Sequence, residues 1–281
     1  MRTADGVDLY VRDWPVQAGT RRRGAALIVH GLGEHSGRYD HVAATLNASG
    51  IAVRSYDHRG FGQSGGGRGV IPNEAAFLDD AKLVFDAFAI EARASGDAEL
   101  PFLIGHSMGG AVAARAVTGR WITPGGLVLS SPALKLWLSA KDRWRVRLGT
   151  AFAPNRARPH GLPLGEISHD EDVLIATKND PYCHDRISPR VVSFLVDAGL
   201  KARRAASRIE IPTLLLISGD DSIVDAEGAR EFARAMPSGR VTLHEYEDLY
   251  HEVFNEREPD RARVLSDLRD WIEQHTGRGG A

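Results

Sequence analysis

Residues 101–110 read PFLIGHSMGG, and this stretch decides the fold. The apolar run Phe102–Gly105 leads into the pentapeptide GHSMG at residues 105–109, and the helix-forming stretch GAVAARAV follows at residues 110–117. A serine in the pattern G-x-S-x-G between a strand and a helix sits on a strained turn, where only small flanking residues let the backbones pass. Its hydroxyl then lies at a helix N-terminus, where backbone N–H groups favour developing negative charge. The stretch therefore predicts Ser107 as a nucleophile.

The same change from strand to helix recurs along the chain. Continuous apolar runs suit strands that are buried on both faces of a parallel sheet. Such runs are found at Ala25–Val29, Ile51–Tyr56, Phe102–Gly105, Leu127–Leu129 and Thr213–Ile217. Helical patterns such as residues 75–94 separate them, and residues 7–14 alternate as an antiparallel edge strand would. We predict an α/β fold, with a mostly parallel central sheet flanked by helices.

The alternation of strand and helix patterns stops between Ser131 and Arg208. Six of the 13 prolines lie here, with short helical patterns and no convincing strand. A simple crossover between parallel strands needs only about a dozen residues. We therefore predict a single domain that spans residues 1–281, with residues 131–208 inserted as a helical cap over the strand ends.

A serine hydroxyl needs a base to take its proton, and the base needs a carboxylate to fix its tautomer. In a fold of this kind the chain order is serine, acid, histidine. The loop after the strand TLLLI holds Asp220, Asp221 and Asp225, and the loop after the next strand pattern holds His251. We predict Asp221 and His251 as the partners of Ser107.

The neighbouring polar residues have simpler explanations. Asp225 is placed to begin the next helix as an N-cap, and Asp220 fits a loop charge. His244 lies inside the strand pattern VTLHEY, which favours a structural histidine. Glu252, next to the predicted base, is expected to be an exposed charge.

The first buried strand is followed by the sequence HGLG at residues 30–33. Glycines at this point let a backbone N–H approach the carbonyl oxygen of a substrate. We predict an oxyanion hole formed by the N–H groups of Leu32 and Met108. Their sequence neighbours Gly31 and His106 are predicted to contact the substrate.

Composition excludes several other functions. The 35 lysines and arginines against 37 aspartates and glutamates give a formal charge of −2, so we expect no nucleic-acid partner. Cys183 is the only cysteine, which excludes an internal disulfide and a thiolate cluster for zinc. Asp57 and His58 lack further ligands at regular spacing, so we expect no metal and no organic cofactor. No apolar stretch approaches the ~18 residues of a membrane span, and we expect a cytoplasmic protein.

Five segments together resemble one family, the monoacylglycerol lipase branch of the α/β-hydrolase superfamily, also described as lysophospholipase-like serine hydrolases. They are HGLGEHSGRY (30–39), YDHRGFGQSGG (56–66), GHSMGG (105–110), DDSIVD (220–225) and YHEVFNE (250–256). The resemblance covers essentially the whole chain and is weakest across residues 131–208. It implies an α/β-hydrolase fold in which the inserted segment covers an acyl-binding tunnel.

The resemblance also implies roles for individual residues. It implies that Ser107, Asp221 and His251 form the catalytic triad, and that Leu32 and Met108 supply the oxyanion hole. It further implies that Glu34 and Arg38 belong to a polar network on the glycerol side of the substrate. Asn179-Asp180-Pro181 resembles a recurring cap segment.

The inserted segment also carries an amphipathic pattern. The apolar residues that fall near one helical face are Leu134, Trp137, Leu138, Leu148 and Phe152. The same segment contains the basic residues Lys135, Lys141, Arg143, Arg145 and Arg147. A basic stretch with tryptophans suits peripheral contact with an anionic membrane or lipid droplet. A cap that only covers a pocket is amphipathic as well, and both interpretations stay open.

The function expected from these observations is hydrolysis of monoacylglycerols, or similar single-chain esters, by a serine esterase through an acyl-enzyme. A short-chain carboxylesterase or a lysophospholipase would use the same residues. Outside enzymes, the alternative is a non-catalytic protein that binds a ligand on this fold. The expected partner is a small-molecule lipid ester, with peripheral contact of the cap with a lipid surface left open, and the sequence leaves the oligomeric state open.

Overall fold

The computed structural model describes residues 1–277. Its strands are β1 (Val11–Trp14), β2 (Gly24–Val29), β3 (Ile51–Tyr56), β4 (Phe102–His106), β5 (Leu127–Ser130), β6 (Arg158–Pro159), β7 (Arg186–Ile187), β8 (Thr213–Ser218) and β9 (Val241–Tyr246). Seven of these described strands form one sheet in the order β1-β3-β2-β4-β5-β8-β9. β1 pairs antiparallel with β3 at the sheet edge, and the other pairs in this sheet are parallel. The predicted mostly parallel α/β fold is confirmed.

Helices cover both faces of this sheet. They are α1 (Asp40–Ala48), α2 (Ala76–Ala94), α3 (Met108–Thr118), α4 (Ala140–Phe152), α5 (Glu171–Asn179), α6 (Pro189–Ala205), α7 (Glu227–Ala235) and α8 (Asp260–His275). Successive strand side chains point to opposite faces. Leu27 and Val29 therefore join the core under α2, α3, α6 and α7, whereas Ala26 and Ile28 join the core under α1 and α8. This two-sided burial explains why the strands read as unbroken apolar runs.

The segment between β5 and β8 divides into two parts. Val191, Phe194, Leu195 and Ala198 of α6 are buried in the same core as α3, so α6 belongs to the helical layer on the sheet. The helices α4 and α5 have no buried residue. The expectation that this segment holds no strand is wrong in detail, because β6 and β7 pair antiparallel over two residues each.

The expected amphipathic helix is also displaced along the chain. α4 begins only at Ala140, so Leu134, Trp137 and Leu138 precede it and lie on no common helical face with Leu148 and Phe152. Leu134 is buried, whereas Phe152 is 84% exposed. The apolar residues that do follow one face of α4 are Trp144, Leu148 and Phe152, at a spacing of four.

The carboxyl ends of β2, β4, β8 and β9 lie at the same edge of the sheet, because these strands are parallel neighbours. In open α/β sheets ligands bind at this edge. The four loops that leave these strands carry the residues predicted from sequence. Among residues 1–277, no helix combines the length and the apolar character needed to cross a bilayer.

Candidate active site

Ser107 lies on the turn between β4 and α3. Its backbone has φ 52° and ψ −117°, a conformation that L side chains rarely adopt and that stores strain. The flanking glycines are required sterically, since a Cβ on Gly105 would lie 2.5 Å from the Gly109 carbonyl oxygen, and one on Gly109 would lie 2.0 Å from that of Val29. The turn therefore holds the serine at the start of α3.

Ser107, His251 and Asp221 form a continuous hydrogen-bonded chain. The Ser107 Oγ lies 2.8 Å from His251 Nε2, and His251 Nδ1 lies 2.7 Å from Asp221 Oδ2. The other Asp221 oxygen, Oδ1, accepts the backbone N–H groups of Ile223 and Val224, each at 2.9 Å. The carboxylate is thus held at both oxygens, and one of them faces the imidazole.

Burial and charge act in opposite directions on His251. Burial alone would lower its pKa, but the Asp221 carboxylate outweighs this effect and the pKa is raised above its ordinary value of 6.5. In the neutral imidazole, Nδ1–H donates to Asp221 and the lone pair of Nε2 faces the serine hydroxyl. This is the tautomer that can accept a proton from Ser107.

The rival residues lie elsewhere. Asp225 accepts the Glu227 N–H at the start of α7 and pairs with Lys135 at 2.8 Å. His244 lies on β9 with its Nδ1 3.6 Å from Asp267, as a structural histidine would. Asp220 makes a backbone contact to Leu249.

Two backbone N–H groups next to Ser107 are available to an oxyanion. Within residues 1–277, the N–H groups of Leu32 and Met108 have no hydrogen-bond acceptor. The loop that carries Leu32 is fixed on both sides: the Gly31 N–H donates to Glu34 Oε1 at 2.5 Å, and the Gly33 carbonyl accepts the His184 N–H at 3.0 Å. A Cβ on Gly31 would lie 3.3 Å from that of Ser107, so the loop passes close to the serine.

A buried ion-pair network borders this loop. Arg38 donates to Glu34 at 2.9 Å and to both carboxylate oxygens of Glu252 at 2.7 Å each, and its remaining Nη2 contact is Thr177 of α5 at 2.8 Å. Burial would lower the pKa of Arg38, but Glu252 and Glu34 raise it well above its ordinary value. Burial would likewise raise the pKa of Glu34, but Arg38 and nearby histidines lower it to about 2. The expectation of an exposed Glu252 is wrong, since its side chain is 8% exposed.

Two cavities meet at Ser107. The polar cavity, of about 220 Å³, is bordered by Glu34, Arg38, His106, Lys178 and Glu252. The apolar cavity, of about 150 Å³, is bordered by Met108, Leu136, Trp137, Val192 and Leu195. Leu32, His160, Leu162 and Ile223 line both. The predicted contact residue Gly31 also lines the polar cavity.

The groups that approach metal-ligand geometry are His35, Asp180 and Cys183, whose ligand atoms lie within 4.8 Å of one another. The Gly37 N–H donates to His35 Nδ1, so His35 Nε2 carries the proton and donates to Asp180 at 2.9 Å. Burial raises the pKa of the Cys183 thiol to about 12, which favours the protonated form. These donors are occupied or protonated, so their chemistry does not suit a metal.

The chain is similar to proteins named monoacylglycerol lipase or monoglyceride lipase. The profile of the family described as "Serine aminopeptidase, S33" matches residues 20–258. A monoacylglycerol lipase of Mycolicibacterium smegmatis is 32% identical over 91% of this chain and 90% of its own length. The structure of Paleococcus ferrophilus monoacylglycerol lipase is 31% identical with a TM-score of 0.84, and covers 95% of this chain and 99% of its own. A Saccharomyces cerevisiae monoglyceride lipase in complex with a substrate analog is 25% identical with a TM-score of 0.88, and covers 98% and 94% of the two chains.

Proposed function

The chain belongs to the hydrolase family described as serine aminopeptidase, S33, and we propose that it is a carboxylic ester hydrolase that cleaves monoacylglycerols to fatty acid and glycerol. The observation that carries the proposal is the hydrogen-bonded chain from Ser107 through His251 to Asp221, set where an apolar and a polar cavity meet. The similarity to proteins named monoacylglycerol lipase over nearly the full chain supports the same substrate.

In the proposed mechanism, Ser107 attacks the ester carbonyl while His251 Nε2 takes its proton. The imidazolium is oriented and stabilised by Asp221, and it returns the proton to the departing glycerol oxygen. Water then attacks the carbonyl carbon of the acyl-enzyme while His251 Nε2 takes its proton, and the imidazolium gives that proton to Ser107 Oγ as the fatty acid leaves. The N–H groups of Leu32 and Met108 bind the oxyanion that develops on the carbonyl oxygen, and preorganised donors of this kind contribute about 10²–10³ in kcat each.

The two cavities suit the two ends of a monoacylglycerol. We assign the acyl chain to the apolar cavity, where each buried methylene gains up to ~0.8 kcal/mol. Binding energy from the chain positions the ester against Ser107, so kcat/KM should rise with acyl length until the cavity is filled. A cavity of about 150 Å³ is small for two acyl chains, which favours a monoester over di- and triacylglycerols.

The sharpest test combines a covalent probe with a substrate panel. A fluorophosphonate should label the wild-type protein and fail to label Ser107→Ala, and monoacylglycerols should exceed di- and triacylglycerols in kcat/KM by at least about tenfold, or ~1.4 kcal/mol. A preference for acetyl esters would indicate a short-chain carboxylesterase. A preference for lysophospholipids would indicate a lysophospholipase. Absence of labelling would favour a non-catalytic binding protein.

We also propose that residues 131–208 contribute a helical cap through the part that precedes α6, and that α4 rests on an anionic lipid surface. Trp144 and Phe152 are 62% and 84% exposed on one face of α4, and exposed basic residues flank them at positions 141, 143, 145 and 147. Apolar side chains bordered by cations suit the headgroup region of an anionic bilayer.

Vesicle binding tests the surface proposal. The double variant Trp144→Ser/Phe152→Ser should bind phosphatidylglycerol-containing vesicles at least about tenfold more weakly than the wild type, whereas Ile90→Ser should not. Ile90 is a suitable control because it is 72% exposed on α2, away from α4. Equal binding by the double variant and the wild type would contradict the proposal.

A further inference from the structure

Glu252 borders the polar cavity but takes no part in the proposed chemical steps. It follows His251 directly, its side chain is 8% exposed, and its carboxylate makes a two-pronged ion pair with Arg38. Together with Glu34 and Thr177 it occupies all four terminal N–H groups of the Arg38 guanidinium. Arg38 therefore has no terminal donor left for a ligand.

The charges around the cavity also disfavour an anion. Glu34 and Glu252 outweigh Arg38, which leaves one negative charge on this cluster, and Lys178 and Asp185 on the same cavity wall offset each other. Burial and the neighbouring His251 lower the pKa of His106 to about 4, so its ring adds no positive charge near neutral pH. A phosphate in this cavity would face two carboxylates without a free guanidinium to bind it.

We propose that Glu252 is a specificity-determining residue that admits uncharged head groups to the polar cavity and rejects phosphate-bearing ones, by keeping Arg38 paired. This inference rests on the proposed hydrolysis of monoacylglycerols. Glycerol hydroxyls donate to the unused lone pairs of the two carboxylates, whereas a phosphate, which carries a charge of −1.5 to −2 near neutral pH, is repelled by them.

The test compares two substrates with one acyl chain, 1-decanoylglycerol and 1-decanoylglycerol 3-phosphate. In Glu252→Gln the amide keeps the shape of the side chain, but its nitrogen cannot accept from Arg38, so one guanidinium N–H is released. The ratio of kcat/KM for the phosphate substrate to kcat/KM for the neutral one should rise at least tenfold. Glu247→Gln, which removes an exposed carboxylate from the same loop outside the cavity, should leave the ratio unchanged.

A double variant isolates the role of Arg38. If phosphate is captured by the released guanidinium, Arg38→Gln/Glu252→Gln should lose the gain seen in Glu252→Gln. A gain that persists without Arg38 overturns the proposed pairing mechanism. An unchanged ratio in Glu252→Gln, with hydrolysis of decanoylglycerol retained, overturns the proposal as a whole. Absence of decanoylglycerol hydrolysis in the wild type would instead overturn the proposed function.

The wild type offers a second measurement that does not depend on a variant's folding. The second pKa of a phosphate monoester is about 6, so the substrate loses a negative charge between pH 8 and pH 5. Titration of His251 affects the hydrolysis of both substrates alike. Burial lowers the pKa of His160 and of His184 on the cavity wall, which disfavours a positive charge on these rings as the pH falls. The ratio should therefore rise as the pH falls, and a flat ratio would contradict the proposed repulsion.

Discussion

Replacing Asp221 with asparagine should invert the hydrogen bonding of His251, the proposed base. The Oδ1 atom of Asp221 accepts the N–H groups of Ile223 and Val224, so in the variant the amide oxygen must take this position. The amide nitrogen then faces His251 Nδ1 at the place of Oδ2, 2.7 Å away. Because an NH₂ group can only donate there, Nδ1 becomes an acceptor and the proton moves to Nε2. The imidazole can no longer accept the proton of Ser107.

This inversion, together with loss of the charge that balances the imidazolium, should lower kcat by about 10⁴, or ~5.4 kcal/mol of transition-state stabilisation. The assay is release of fatty acid from a monoacylglycerol by purified variants with matched thermal unfolding. Asp225→Asn is the control, and should cost less than about threefold because Asp225 pairs with the partly exposed Lys135 rather than with His251. An Asp221→Asn variant with more than about 1% of wild-type kcat, or a larger loss in Asp225→Asn, would refute the assignment.

Three further variants or conditions test the remaining parts of the site. Ser107→Ala should lower kcat by about 10⁶, and retention of a few per cent of activity would exclude Ser107 as the nucleophile. Because the raised pKa of His251 protonates the base at higher pH than usual, kcat/KM should fall on acidification with a midpoint above 6.5, and a midpoint at or below this value would contradict the geometry. Gly33→Ala should lower kcat at least about tenfold, because Gly33 has φ +79° and a Cβ there would lie 2.7 Å from the His184 carbonyl oxygen. The control is Gly161→Ala, which should not lower kcat because Gly161 has a similar φ of +69° but open space around it.

The sheet and the chain of three residues were predictable because their signals are local. A buried parallel strand needs apolar side chains on both faces. Both ends of each of the five apolar runs fall within one residue of the ends of an observed strand. The turn at Ser107 likewise needs glycines at 105 and 109 for steric reasons that the sequence displays directly. Once the strands are parallel, their carboxyl ends meet at one edge, which is why Asp221 and His251 come together across 30 residues of chain.

The wall of the polar cavity has no such local signal. Arg38 pairs with Glu34, four residues before it, and with Glu252, 214 residues away. It also donates a hydrogen bond to Thr177, 139 residues away. An ion pair imposes no periodicity on the sequence, and a glutamate after a histidine looks the same whether it faces water or a buried guanidinium. What decides its environment is the approach of α5 and the β9 loop to Arg38, which depends on packing of the segment between β5 and β8. The residues proposed to cleave the ester bond therefore lie near strand ends, whereas the proposed selection of the head group depends on long-range pairs that only the folded chain brings together.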